Sequence, residues 1–126
     1  IKQIVKIPVI ANGDVRSIAD IESIKSKTGC DGIMIGRGSI GNPWIFSRLD
    51  HRSITMKEII SVALDHLSLM VGFYGEERGL VRFRKHLKAY FSQYTLPRSY
   101  LIRLMTVSAY LEMVAMIENM EEAIKQ

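Results

Sequence analysis

The sequence predicts an α/β segment followed by an all-α segment, and three observations carry that expectation. Two short apolar, β-rich runs, Pro8-Val9-Ile10-Ala11 and Gly32-Ile33-Met34-Ile35, flank a single helical pattern. From Ser53 onward the apolar period becomes helical and stays so. With 126 residues, about half of them apolar, the chain can build one modest core or two small ones but not a complete enzyme barrel.

The first run ends in Asn12-Gly13-Asp14 and the second in Gly36-Arg37-Gly38. Between them Ile18, Ile21, Glu22 and the residues from Ile24 to Lys27 give a short helix, with Arg16 or Ser17 at its start and Thr28-Gly29 as its stop. Strand, helix, strand is a crossover unit, so the two strands are expected to pair in parallel, with further strands upstream to cover their faces. The chain opens at Ile1 rather than Met and enters an apolar run at once, which reads as a piece of a longer protein.

The next helix has a strongly marked start. Thr55 and Glu58 have capping-box spacing, and Ile54 with Ile59 can form a hydrophobic staple, so a boundary is expected near Leu49 to Arg52. Met56, Ile59, Ile60, Ala63, Leu64, Leu67 and Met70 share a face, and Gly72 and Gly75 are expected to break the pattern. Glu76-Glu77 suit the first turn of a helix running from about Glu77 to Tyr94, which Leu96-Pro97 ends. Helices over roughly Ser99 to Met105 and Ala109 to Lys125 complete a small bundle, with methionines as filler.

No run approaches the roughly 18 to 20 apolar residues of a membrane span, so a soluble chain is expected. Cys30 is alone, without a disulfide partner or metal-ligand spacing, which fits a reducing, cytoplasmic setting. His51, His66 and His86 show no spacing that argues for a metal or a nucleophile and base pair. The net charge of +4 is modest but unevenly spread. Residues 1 to 50 hold seven basic and five acidic side chains, whereas Arg78 through Tyr110 hold seven basic ones and no Asp or Glu.

Glycine turns after two parallel strands let backbone N–H groups converge on a phosphate, and in (β/α)8 barrels the loops after the last two strands often do so. Arg37 would add a fixed charge and a bidentate donor, and Ser39-Ile40-Gly41-Asn42 is a candidate start for the short extra helix of such sites. Spacing alone equally allows ordinary strand-end turns with a solvated Arg37.

The residues around the glycines narrow the choice. Ile7-Pro8-Val9-Ile10-Ala11-Asn12-Gly13-Asp14-Val15, then Thr28-Gly29-Cys30-Asp31-Gly32-Ile33-Met34-Ile35-Gly36-Arg37-Gly38, then Gly41-Asn42-Pro43-Trp44-Ile45-Phe46 closely resembles the tRNA-dihydrouridine synthase family, most of all its bacterial B-type branch. Arg84-Lys85-His86, in a helix that continues to Tyr90, extends the resemblance more weakly into the helical part. The resemblance implies the C-terminal portion of a (β/α)8 TIM barrel, strands seven and eight, followed by a small helical bundle. Residues 1–51 would then belong to a flavin-binding barrel and 52–126 to a helical tRNA-binding domain.

By the same resemblance Asn12, Gly13, Asp14, Gly36, Arg37 and Gly38 fall where the family binds the phosphate end of flavin mononucleotide (FMN). The implied reaction is reduction of the C5–C6 bond of a tRNA uridine, with NADPH or NADH as reductant. The implied proton donor is a cysteine on a loop from an earlier strand, upstream of this chain, so the chain alone is expected to be inactive. Cys30 precedes the second strand, away from the active mouth of such a barrel, and is not expected to be that acid.

At about 100° per residue, Leu80, Phe83, Leu87, Phe91 and Tyr94 share one side of the second bundle helix and Arg78, Arg82 and Lys85 the other. A charged stripe is usually only a solvated face, but such faces mix both signs, and an acid-free one suits an RNA backbone. Arg84 and His86 flank the stripe, and Lys88, Arg98 and Arg103 can extend it. Two rival functions stay open: another FMN- or sugar-phosphate-binding barrel enzyme, or a non-catalytic RNA-binding helical module. An exposed barrel edge would also suit self-association of the piece.

Overall fold

A computed structural model describes residues 2–124. The chain divides into two compact units, residues 1–53 and 54–126. In the first, strand β1 (Ile10–Asn12) and strand β2 (Gly32–Met34) pair in parallel, with Ile10 opposite Gly32, Ala11 opposite Ile33 and Asn12 opposite Met34. Helix α1 (Ile18–Thr28) makes the crossover.

Local chemistry explains both ends of α1. Ser17 is its N-cap: Ser17 Oγ accepts from Asp20 N at 3.2 Å, while Asp20 Oδ2 accepts from Ser17 N at 2.9 Å and Arg16 N at 3.0 Å. These donors, the Arg16 amide first, hold the Asp20 carboxyl below its ordinary range. Gly29 ends the helix in the left-handed conformation at φ 61°, and its N–H bonds Lys25 O at 2.9 Å. Ahead of β1, the Asp31 carboxylate accepts from Lys2 Nζ at 2.6 Å and Val9 N at 2.7 Å, which ties the entering chain to the start of β2.

The core of this unit is thin. Val15, Ile21 and Ile45 are buried, with Ile24, Ile33 and Ile35 packed against them. It occupies one side of the sheet. On the other, Ile10 is 60% exposed and Met34 58%. After β2 the chain makes three 3-10 turns, Arg37–Ser39, Pro43–Ser47 and His51–Ser53. Helical structure therefore starts at Arg37, after Ile35 and Gly36 have left the strand, and again at Pro43 with Asn42 as N-cap, not within Ser39 to Asn42 as expected. Proline at N1 needs no N–H partner, so it sets the second start one residue beyond the anticipated segment.

The second unit consists of helices α2 (Met56–Tyr74), α3 (Glu76–Tyr90), α4 (Arg98–Thr106), α5 (Tyr110–Glu118) and α6 (Met120–Ile124). The Thr55 and Glu58 capping box forms, with Glu58 N to Thr55 Oγ1 at 3.3 Å and Thr55 N to Glu58 Oε2 at 3.0 Å, and Ile54 and Ile59 are both buried beside it. Leu67, Leu80, Phe83, Leu87, Leu104, Met113, Ile117 and Met120 form a closed interior.

Three boundaries differ from expectation. Helix α2 runs through Gly72 and stops only at Gly75, whose φ of 78° and ψ of 163° serve both its C-cap and the start of α3. An exposed glycine inside a helix costs about 1 kcal/mol relative to alanine, too little to break one that is packed along its length. Helix α3 ends at Tyr90, four residues early, because the chain reverses ahead of Pro97 through two tight turns, Ser92 N to Ala89 O at 3.3 Å and Tyr94 N to Phe91 O at 3.0 Å.

The last helix is broken at Asn119. Its Nδ2 donates to Ala115 O at 2.8 Å, and its backbone N–H bonds the same carbonyl at 3.1 Å, so the side chain competes with the helical ladder. Lys125, the anticipated end of that helix, lies outside the described residues. No helix among the described residues is long and apolar enough to cross a membrane.

Candidate functional site

At the C-terminal ends of β1 and β2 lies a cavity of about 330 Å³ lined by Asn12, Gly13, Asp14, Val15, Arg16, Met34, Gly36, Arg37 and Gly38. All six residues assigned to a phosphate from the sequence line this one space. Gly38 brings the two turns together: a Cβ there would collide with Val15 O and lie 3.2 Å from Arg16 Cα. Only a glycine permits that approach. At Gly13 and Gly36, by contrast, an added Cβ would meet nothing within 4 Å.

The 3-10 turn contributes Arg37 and Gly38 to the lining. Its first internal bond is Ser39 N to Gly36 O at 3.1 Å, so the amides of Arg37 and Gly38 are the orphan donors that every helix start presents. The start of α1 offers less, because Asp20 already accepts the Arg16 and Ser17 amides. Arg37 Nη2 and Asp14 Oδ1 form an ion pair at 2.5 Å, with the side chains 79% and 71% exposed. A pair so open contributes about 0–1 kcal/mol. A dianionic ligand can therefore displace the carboxylate at little cost. With Arg37 and Asp14 offsetting each other, Arg16 supplies the remaining formal positive charge of the lining.

Val15, Arg16 and Met34 are lining residues that the sequence did not assign to the site. A signal for Arg16 was present, since it follows the Asn12-Gly13-Asp14 turn by two residues. Cys30 is buried at the opposite end of β2 from this cavity.

On the second unit, Arg78, Arg82, Lys85 and Lys88 are exposed along α3, while Leu80, Phe83 and Leu87 are buried on its other side. None of these four cations has an ion-pair partner among the described residues. The Arg82 guanidinium lies 4.7 Å over the Tyr74 ring, which stiffens it while leaving its charge unneutralised.

Other basic residues of the block are used differently. Arg84 turns inward, its Nη2 donating to Val107 O at 3.1 Å at the end of α4, and its Nε is buried without a hydrogen bond. His86 is half-buried, 4.7 Å from the His66 ring, and burial pushes both imidazoles below their ordinary value. Arg103 pairs with Glu112 at 2.8 Å, an acid from beyond the acid-free block. Tyr94, expected on the apolar side of α3, sits half-buried in the turn after it.

Among the described residues no group of three or more His, Cys, Asp or Glu is placed to hold a metal. His51 stacks on Trp44 at 5.5 Å, and His66 Nδ1 lies 3.2 Å from Tyr90 Oη, so two of the three histidines serve ring packing and a local hydrogen bond.

The chain is similar to several curated proteins. It is 39% identical over 100 residues to a probable tRNA-dihydrouridine synthase of Rickettsia bellii, covering 73% of this chain and 31% of that protein. It is 42% identical over 105 residues to tRNA-dihydrouridine synthase B of Pseudomonas aeruginosa, covering 77% of this chain and 31% of that protein. For a probable tRNA-dihydrouridine synthase of Mycobacterium leprae the identity is 35% over 97 residues, covering 71% and 25%. The chain thus spans about a third or less of the length of these relatives. The family model described as dihydrouridine synthase matches residues 1–126, and with these relatives it shows that the chain belongs to the dihydrouridine synthase family.

Proposed function

We propose that this chain supplies the FMN phosphate site and an RNA-facing helical surface of a tRNA-dihydrouridine synthase. The single observation that carries the reading is the cavity in which Asn12, Gly13, Asp14, Gly36, Arg37 and Gly38 meet. Its chemistry suits a phosphate monoester: orphan amides at Arg37 and Gly38, a weakly held guanidinium, and glycines where a ligand must approach the backbone.

In the proposed arrangement β1 and β2 are the seventh and eighth strands of a TIM barrel. The exposed Ile10 and Met34 on the sheet's second side support this, since the inward-facing side chains of a closed barrel are covered by the other strands. Arg37 would bind the phosphate in place of Asp14, and the glycine turns would fix its depth and orientation. Asp14 would then contribute through its backbone, whose φ of 34° belongs to the tight turn.

FMN, when bound, supplies hydride chemistry for reducing the C5–C6 bond of a tRNA uridine, with NADPH or NADH as the external reductant. The proton donor is assigned to the part of the protein upstream of this chain. Cys30 has the wrong placement for it, buried at the far end of β2. The setting is the cytoplasm, where the tRNA substrate is found.

The test is a gene deletion with complementation. The deletion strain is expected to lose dihydrouridine from a subset of its tRNAs, and the full-length protein to restore it and to purify with FMN. Residues 1–126 alone are expected to restore nothing. Unchanged dihydrouridine in the deletion strain would point to another phosphate-binding barrel enzyme, and a colourless full-length protein would remove the flavin assignment.

A further inference from the structure

A second cavity, outside the phosphate site, lies where α3 gives way to the turn before α4. It has a volume of about 450 Å³, within the roughly 300–1,000 Å³ of small-ligand pockets. Leu96 and Leu101 form an apolar wall, Tyr94 adds an aromatic ring, and Lys85, Lys88 and Ser92 line its polar side. We propose that this groove receives one unstacked nucleobase of a single-stranded RNA segment, the adjoining phosphates lying on Arg78, Arg82 and Lys85. The proposal rests on reading that stripe as the RNA-facing surface.

Lys85 joins the two features. It belongs to the stripe, about 10 Å along the helix axis from Arg78, and it also lines the groove. Lys88 lines the groove further round the helix, and neither lysine has an ion partner among the described residues. An apolar slot with a π-face and two unpaired ammonium groups matches a ligand that is planar and aromatic in one part and anionic in the next. A nucleotide has that composition, and single-stranded RNA is bound by stacking its bases on aromatic side chains while cations track its backbone. An acidic peptide would satisfy the lysines but leave the aromatic and leucine wall unused.

The groove owes its shape to the early end of α3. Had the helix continued to Tyr94, that ring would lie on the buried side with Leu87. The two tight turns ahead of Pro97 place it at the groove instead.

The test uses the full-length protein and two synthetic probes: a short single-stranded RNA and an abasic oligomer with the same ribose-phosphate backbone. Wild type is expected to bind the base-bearing probe about tenfold more tightly than the abasic one, the scale of one stacked base. Tyr94→Ala and Ser92→Trp, which fills the groove from its exposed rim, should each abolish that difference without changing the slope of affinity against salt. Tyr94→Phe, which keeps the ring, should retain it. Circular dichroism melting separates loss of fold from loss of binding, and Ser92→Trp tests the groove without touching Tyr94.

Three outcomes overturn the proposal. Equal wild-type binding of the two probes, with a salt slope that falls in the Arg78, Arg82 and Lys85 triple alanine variant, leaves the stripe standing and removes the base site. Displacement of both probes by polyglutamate to the same extent shows that the groove reads charge alone. Binding of neither probe removes the RNA-facing stripe and the groove with it.

Discussion

The two units offer candidate anion sites built by opposite means. In residues 1–53 the candidate site is made of backbone: glycine turns, orphan amides at a helix start, and an arginine already paired with an aspartate. In residues 54–124 it is made of side chains: exposed cations on the outer face of a helix whose inner face fills a closed core. The first should depend on angstrom-level packing of the chain and little on salt. The second should show the reverse. A phosphate monoester held in one orientation suits the first kind of site, and a long polyanion held by many weak interactions suits the second.

The largest effects should come from glycines at close approach. Gly38→Ala would drive a methyl group into Val15 O and must push the two glycine turns apart. Full-length protein carrying it is expected to purify without flavin, measured as the ratio of visible to ultraviolet absorbance. In the second unit a Cβ at Gly79 would lie 2.7 Å from Val71 Cα, where α3 crosses α2, and Gly79→Ala should lower stability to urea by about 1–3 kcal/mol. A full flavin complement in Gly38→Ala would show that the first site does not depend on backbone packing.

Next in size is Arg37→Ala, expected to weaken FMN binding by about 1–3 kcal/mol, the scale of a hydrogen bond to a charged group. Flavin titration of the apoprotein measures it. Unchanged affinity would mean that the exposed pair with Asp14 is the whole business of Arg37.

The contrast in salt dependence is sharper still in form though smaller per residue. Replacing Arg78, Arg82 and Lys85 together with alanine should reduce the slope of log affinity for tRNA against log salt by about 0.7–0.9 for each phosphate that the variant no longer neutralises. Flavin content should not change. Coincident slopes for wild type and variant would make the stripe a merely solvated face.

Gly72→Ala supplies a test of opposite sign to Gly79→Ala within the same helical pair. Gly72 is an exposed position inside α2 with nothing within 4 Å of an added Cβ. Alanine there should stabilise the protein by about 0.4–1 kcal/mol, read from the urea midpoint. Destabilisation would mean that the outer face of α2 is covered in the native protein.

The smallest effect is a pH dependence. Burial lowers the values of His66 and His86 below the ordinary 6.5, so the folded protein resists a proton that the unfolded chain accepts. Their contribution to stability is complete above about pH 6.5 and is lost as the pH falls through the lowered folded values. Thermal midpoints measured from pH 8 to pH 5 should decline over that window, and His66→Gln with His86→Gln should flatten the decline. An unaltered decline in the double variant would assign it to carboxylates instead.

Legibility from the sequence differed between these features for a common reason. The glycine turns were readable because strand ends and turn residues are adjacent in the chain, and the particular residues around them carried the family resemblance. The exposed cations of α3 were readable because helical period sets which residues share a side. Arg84 was not separable from its neighbours on that basis: whether it faces outward depends on Val107, 23 residues away. Arg103 lies in an acid-free block and is nonetheless neutralised by Glu112, because α4 and α5 bring the two together in space.

What the sequence determined by itself is what neighbours three or four residues apart can satisfy. Ser17 with Asp20 and Thr55 with Glu58 close their capping boxes, Gly29 takes the left-handed φ that ends α1, and Pro97 stops the chain short of it from staying helical. Such bonds form within one turn, so residue type and spacing suffice. The tertiary structure alone decided how distant segments meet: the methyl-free gap at Gly38 against Val15, the pairing of Arg37 with Asp14, the crossing of α3 over α2 at Gly79, and the groove between Tyr94 and Leu101. Those depend on the approach of backbones, and a period along one helix or strand carries no information about which backbone comes near, or how close.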